Sequence, residues 1–173
     1  MRFVIACLVA VQLLFLSPIT TFAGDARVAV LDFELNDVTL NPNIPEEIER
    51  TASIKSLLQK TLATKSGYTI VEVAPEIQKS ANAGHGYLSD HHDVAAQLGR
   101  DVGADWVIVG RVHKASFLFV YLKAHVVNAK TGQLVGDLII EIKGPQKKLT
   151  IKGVESLAEQ IDVTLQRSRS KEA

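Results

Sequence analysis

The chain has 173 residues, 19 Lys+Arg against 19 Asp+Glu, 47% hydrophobic residues and a single cysteine, Cys7. Zero net charge supplies no bulk field to draw nucleic acid or an anionic membrane. With its one thiol at the extreme N-terminus, the rest of the chain has no disulfide, thiolate metal site or cysteine nucleophile.

Residues 1–23 read as a cleaved secretory signal peptide. Met1-Arg2 is a short positive start, Phe3 to Leu16 an uncharged apolar stretch, and Ser17-Pro18 a break; Thr21-Phe22-Ala23 sets small residues before a cut at Gly24. The rival reading is a retained membrane anchor, for which the run is short and poorly flanked. Val4-Ile5-Ala6-Cys7 resembles a lipoprotein box, but its apolar run follows the cysteine instead of preceding it. A periplasmic or secreted protein is expected, with no transmembrane segment after cleavage. A mature chain without cysteine suits an oxidising compartment.

Val28-Ala29-Val30-Leu31 is an uninterrupted apolar run, the mark of a strand buried on both faces. Asn36 to Pro45 is a loop. Pro45 opens a helix with Glu46, Glu47 and Glu49 at its dipole-favoured start; Ile48, Ile54, Leu57, Leu58 and Leu62 follow the helical period. Tyr68 to Val73 is a β-branched strand, Pro75 to Ser80 a short helical turn, and Asn82 to Ser89 a glycine-bearing loop. A helix from about Asp90 carries Val94, Leu98 and Val102, with Gly103 as its C-terminal cap. Trp106 to Lys114, Phe117 to Asn128 and Leu134 to Lys143 are strands, the last two joined by a hairpin with Gly132 at positive φ. Ile151, Val154, Leu157, Ile161 and Leu165 mark a final amphipathic helix. The expected architecture is a single α/β (α+β) domain over residues 24–166, a mixed sheet of about five strands in the order β-α-β-(α)-α-β-β-β-α with helices packed on it. A polar tail over 167–173 is expected to fray.

The three-stranded part has two unlike faces. Leu118, Val120, Leu122, Ala124 and Val126, then Leu134, Leu138, Ile140 and Ile142, are all apolar, so the two-residue period of a strand puts them on the core side. The alternate positions mix aromatics with charge: Arg111, His113, Phe117, Phe119, Tyr121, Lys123, His125, Asp137 and Glu141. Left uncovered, such a face suits a protein interface, with Arg111, His113, Phe117, Phe119, Tyr121 and His125 as its candidate contact residues.

The Gly103-Ala104-Asp105 helix end, the strand Trp106-Val107-Ile108-Val109-Gly110, the hairpin Val127-Asn128-Ala129-Lys130-Thr131-Gly132 and the opening strand Val28 to Phe33 together resemble an envelope superfamily. Its members include the amino-terminal domain of the Tol translocation protein, curli-secretion subunits, flagellar outer-membrane accessory lipoproteins and penicillin-binding-protein activators. Within it, the chain is most similar to a small secreted bacterial family of unknown function, over essentially the whole mature length. The resemblance implies a fold and action by binding other proteins in the cell envelope; it brings no catalytic residues, because its motifs are turn chemistry. That family often carries cysteines before the second helix, where this chain has Ser89-Asp90-His91-His92-Asp93. Any role of those cysteines does not carry over.

His85, His91, His92 and Asp93 are the only cluster of metal-ligand types, offering imidazoles and a carboxylate to zinc, nickel or copper. Adjacent histidines on a helix diverge by about 100°. The plainer reading has Ser89 or Asp90 capping the helix, Asp93 favouring its dipole, and both histidines half-exposed. His113 and His125 share a strand face as a possible pH-responsive pair or as solvated positions. Asp32 stands where an open sheet forms a cleft, or where a carboxylate bonds a nearby loop. Lys143, Lys147, Lys148 and Lys152 form a basic patch with no interleaved aromatics. No Gly-x-Ser-x-Gly elbow or phosphate-binding loop is present, so no enzyme, cofactor or assigned metal site is expected. The leading expectation is a non-enzymatic exported accessory protein acting by protein contact. The alternative is a periplasmic small-molecule or metal-binding accessory protein serving a redox enzyme.

Overall fold

Val28, Ala29, Val30 and Leu31 are each fully buried, as an apolar run between two helical layers must be. The computed structural model describes residues 24–144 and 147–172; the expected signal peptide lies outside them. The elements are β1 (Ala26–Val30), β2 (Glu34–Asp37), α1 (Pro45–Ala63), β3 (Tyr68–Val71), α2 (Pro75–Ala81), α3 (Tyr87–Asp90), α4 (His92–Asp101), β4 (Trp106–Lys114), β5 (Phe119–Asn128), β6 (Leu134–Lys143) and α5 (Lys147–Glu172). They form one mixed sheet in the order β3-β1-β4-β5-β6. β2 pairs parallel with the second half of β4, prolonging the line of β1 after a break at Leu31–Phe33.

The chain crosses from β1 to its parallel neighbour β3 through α1, then from β3 to β4, which also pairs parallel with β1, through α2 to α4. The two helical groups therefore cover opposite faces. On one, Val28, Val30, Ile108, Leu122 and Val126 pack with Ile54, Leu58, Leu157, Ile161 and Leu165 of α1 and α5. On the other, Ala29, Leu31, Val107 and Val109 pack with Leu88, Ala95, Ala96 and Leu98. Tyr68 Oη donates to Asp162 Oδ1 at 2.5 Å, and Lys65 Nζ reaches Glu159 at 2.6 Å and Asp162 at 3.2 Å, tying α5 to β3 and to the end of α1. Gly103, at φ 71°, caps α4; Gly132, at φ 75°, closes the β5–β6 hairpin, where Asn128 Oδ1 accepts from the Lys130 and Thr131 amides.

Several elements differ from the sequence expectation. β5 starts at Phe119, because Ala115 N and Ser116 N donate to Phe119 O and Ser116 Oγ accepts from the Leu118 and Phe119 amides. Leu118 consequently leaves the core side and is 58% exposed. Leu134 also changes face: a register shift at Val126/Val127 pairs it with Val127, and Val135 packs on the core instead. Ile48 is exposed, while Glu47 and Thr51 point inward. The loop at 82–89 yields Tyr87, Leu88 and Ser89 to α3, which takes in Asp90, and the N-cap of α4 is His91, with no side-chain cap from Ser89 or Asp90. The polar C-terminal stretch is helical to Glu172, held by Arg169, which donates to Gly67 O and Gly24 O.

Candidate protein-contact surface

Packing decides which part of the sheet is bare. α2, α3 and α4 shield β1, β3 and the first half of β4, and α3 and α4 also reach His125 on β5 through Ser89 and His92. Farther along the mixed face, His113, Phe119 and Tyr121 make no hydrogen bond or ring contact with a helix among the described residues. The crevice where the two crossovers diverge is closed: Gln78 of α2 accepts from Asp32 N at 2.7 Å and donates to Asp32 O at 3.0 Å. Lys55 pairs with the Asp32 carboxylate at 3.2 Å. Asp32 thus belongs to a clamp between the end of β1, α1 and α2.

Four of the six candidate contact residues lie on this face. Arg111 sits 4.0 Å from Glu34, its register partner on β2. Glu34 in turn accepts from Asn82 Nδ2 at 2.8 Å and Gly86 N at 2.6 Å, drawing the 82–86 loop over the sheet. His113 lies 3.1 Å from Asn36 and stacks on Tyr121. His125 donates through Nδ1 to Ser89 O at 3.1 Å, has His92 Nε2 also at 3.1 Å, and faces Asp137 at 3.4 Å through Nε2. Burial pushes its pKa down, Asp137 opposes that, and His92 adds to it. His113 and His125 face β5 residue Tyr121 and β4 residue Val109 respectively, so they do not form a pair. Phe119 stands at the margin, 38% exposed with Lys143 Nζ 5.9 Å from its ring centre.

Phe117 is placed elsewhere, at the tip of the β4–β5 turn, 73% exposed. There it joins residues that the sequence reading left in a loop: Val38, 58% exposed, and Leu40, fully exposed, on the β2–α1 connection. Between the two loops is a groove of about 540 Å³ lined by Val38, Leu40, Ile44, Lys114, Ala115 and Phe117. The signal for it was present as an apolar Val38-Thr39-Leu40 set between asparagines and prolines.

Charge holds the groove's floor. Asp37 Oδ1 accepts from Thr39 N and Thr39 Oγ1, and Oδ2 from Asn43 N, fixing the loop with Asn43 at φ 60°. Lys114 Nζ bridges Asp37 at 3.3 Å and Glu47 at 3.4 Å, and Glu47 pairs with Arg50. Burial would raise the Asp37 pKa, but the bonds from Thr39, Lys114 and Asn43 outweigh it and hold the carboxyl below its ordinary value.

The histidine cluster is dispersed. His85 Nε2 lies 3.0 Å from Leu35 O, His91 stacks on Tyr87, His92 meets His125, and Asp93 is exposed in the first turn of α4. Among the described residues no group of three or more His, Asp, Glu or Cys side chains is placed to hold one ion.

A family model described as "Protein of unknown function (DUF2380)", DUF3280, matches residues 26–161. The chain belongs to that family. No curated protein matches it in sequence. Among solved structures, it is similar in fold to LpoB of E. coli, with 15% identity and a TM-score of 0.52, over 67% of this chain and 55% of LpoB. Lipoprotein GNA1162 of Neisseria meningitidis is similar at 18% identity and a TM-score of 0.51, over 79% of this chain and 96% of that one. TolB of Acinetobacter baumannii is similar at 11% identity and a TM-score of 0.52, over 82% of this chain and 28% of TolB. The chain thus spans little more than half of LpoB, and the relationship is one of fold. That agrees with the architecture and the uncharacterised family that the strand and turn motifs imply.

Proposed function

We propose that this protein is a non-enzymatic, exported accessory protein of the cell envelope. It acts by binding another protein at the groove between the β2–α1 loop and the β4–β5 turn and along the adjoining mixed face at Phe119 and Tyr121. The observation that carries this reading is the gathering of Val38, Leu40 and Phe117, exposed by 58%, 107% and 73%, around one groove over a rigid ionic floor. Singly exposed apolar residues need no explanation, whereas a shared patch rimmed by polar groups marks a contact site. Fold similarity to a lipoprotein and to TolB supports an envelope setting. The leader-like residues 1–23 support export.

The test compares wild type with Leu40→Asp/Phe117→Asp in the native host. Both side chains are exposed, so the variant keeps the wild-type melting temperature. Loss of one specific envelope partner, identified with the wild-type protein, is the expected result. Equal recovery of that partner by the variant would contradict the assignment.

A further inference from the structure

β6 is the last strand of the sheet: nine of its ten residues pair with β5 on one side, and among the described residues nothing pairs with the other. An open edge of that length templates another strand unless proline, a bulge, charged side chains or a covering element guards it. Leu134–Lys143 contains no proline, and its one irregularity lies at the start, opposite Val126/Val127. Asp137, Glu141 and Lys143 all stand on the outer face, opposite the core side that carries Leu138, Ile140 and Ile142. From Gly136 to Lys143 the only guards are these three outer-face charges, which repel a partner strand only where like charges meet.

We propose that this edge pairs with the same edge of a second copy of the chain, antiparallel about Ile140, giving a twofold dimer with one sheet running through both molecules. Charge and the length of strand that can pair together select the occupant and the register: an axis at Ile142 also opposes Glu141 with Lys143, but over Glu141–Lys143 alone. Directly opposed residues must share a face, so the twofold axis passes through a residue and not between two. An axis at Ile139 sets Asp137 against Glu141 twice, and an axis at Glu141 sets that carboxylate against itself. An axis at Leu138 runs the pairing into the irregular start and forms no ion pair. An axis at Ile140 sets Asp137 of each copy opposite Lys143 of the other, with no like charges opposed. On the core side it places Ile140 against Ile140 and Leu138 against Ile142. On the outer side Ile139, 51% exposed in one copy, lies beside the Glu141 stem of the other.

Asp137 and Lys143 are free to make these contacts. Their side chains are 60% and 74% exposed, and their present partners, His125 and Glu141, lie 3.4 Å away in solvated pairs of little strength. The edge is separate from the Leu40–Phe117 groove but adjoins Phe119, over which Lys143 lies. Leu40→Asp/Phe117→Asp leaves the edge intact, so failure of the dimer and failure of the groove are told apart.

Sedimentation of the purified protein over a dilution series tests it. The wild type is expected to be a dimer that dissociates on dilution. Asp137→Lys and Lys143→Asp each turn both seam pairs repulsive and are expected to weaken it by about tenfold or more. Asp137→Lys/Lys143→Asp is expected to restore it. A wild type that stays monomeric at its highest soluble concentration, or single reversals that dimerise normally, would overturn the proposal. Should a reversal disturb the fold by circular dichroism, Ile140→Cys in a chain with Cys7 replaced by serine reads the register directly. Oxidation is then expected to join two copies at position 140, and thiols that stay unpaired would refute the pairing.

Discussion

Gly110→Ala probes the strand break on which the contact surface is built. β1 and β2 are separated at Leu31–Phe33, and the Phe33 ring lies against the α-carbon of Gly110 in the middle of β4. A methyl group there would overlap ring atoms Cδ2, Cε2 and Cζ well inside the 3.0 Å that real Cβ contacts respect. Phe33 is only 7% exposed, in the same core as Val30, Ile108 and Val112, so it cannot swing into solvent without giving up its burial. Overpacking of this kind costs about 1–3 kcal/mol, and removing a strand glycine returns up to about 1 kcal/mol. The expected net loss is about 1–2 kcal/mol, or roughly 2–8 °C in melting temperature for a domain of this size. Equilibrium urea unfolding should show a lower midpoint with an unchanged slope. Phe33→Leu in the same chain makes room for the methyl, so the double variant should lose less than the sum of the singles. A Gly110→Ala protein as stable as wild type, or strict additivity, would refute the reasoning.

Other perturbations address the floor, the histidine contact and the C-terminus. Lys114→Met keeps the aliphatic stem but removes the cation that bridges Asp37 and Glu47, whose side chains are 0% and 5% exposed. Asp37 keeps its bonds from Thr39 and Asn43 and Glu47 keeps Arg50, so a loss of about 1–3 kcal/mol in urea unfolding is expected. His125 binds its proton less readily folded than unfolded. Its contribution is therefore complete above the ordinary value of 6.5 and is lost as pH falls through 6.5 toward the lowered folded value, at no more than about 1.4 kcal/mol per pH unit. His125→Gln should flatten the stability profile between about pH 7.5 and 5.5, and an unchanged slope would place the effect elsewhere. Arg169→Ala removes bonds to Gly67 O and Gly24 O, and amide exchange should accelerate in the last turns of α5 and at the start of β1.

Much of the architecture was legible because burial writes a period into the chain. Val28 to Leu31 has no polar member because both faces are covered, while Val120, Leu122, Ala124 and Val126 alternate because only one face of β5 meets α5. Gly103 and Gly132 announced their turns through a positive φ that few other residues accept. β2 was not legible: Glu34-Leu35-Asn36-Asp37 is short and polar, and pairs with the second half of β4 only after the break at Leu31–Phe33. Arg111, His113, Tyr121 and His125 keep the strand parity that the two-residue period gives them. Phe117 fell outside that parity because Ser116 Oγ turns the chain just before β5. The groove could not be read from periodicity at all, since Val38, Leu40 and Phe117 meet only through the β2–β4 pairing that brings Asp37 to Lys114. Composition likewise does not show that the C-terminal stretch is helical to Glu172, with Arg169 donating to the Gly67 and Gly24 carbonyls more than a hundred residues away.

The contact surface itself is tested most directly by site-specific photo-crosslinking in intact cells. A photoreactive residue is placed in turn at Leu40, at Phe117 and, as a control, at Lys60, which is exposed on α1 far along the chain from either loop. The account predicts the same single protein adduct from Leu40 and Phe117 and none from Lys60. Adducts that are absent at both groove positions, or identical at all three sites, would contradict it.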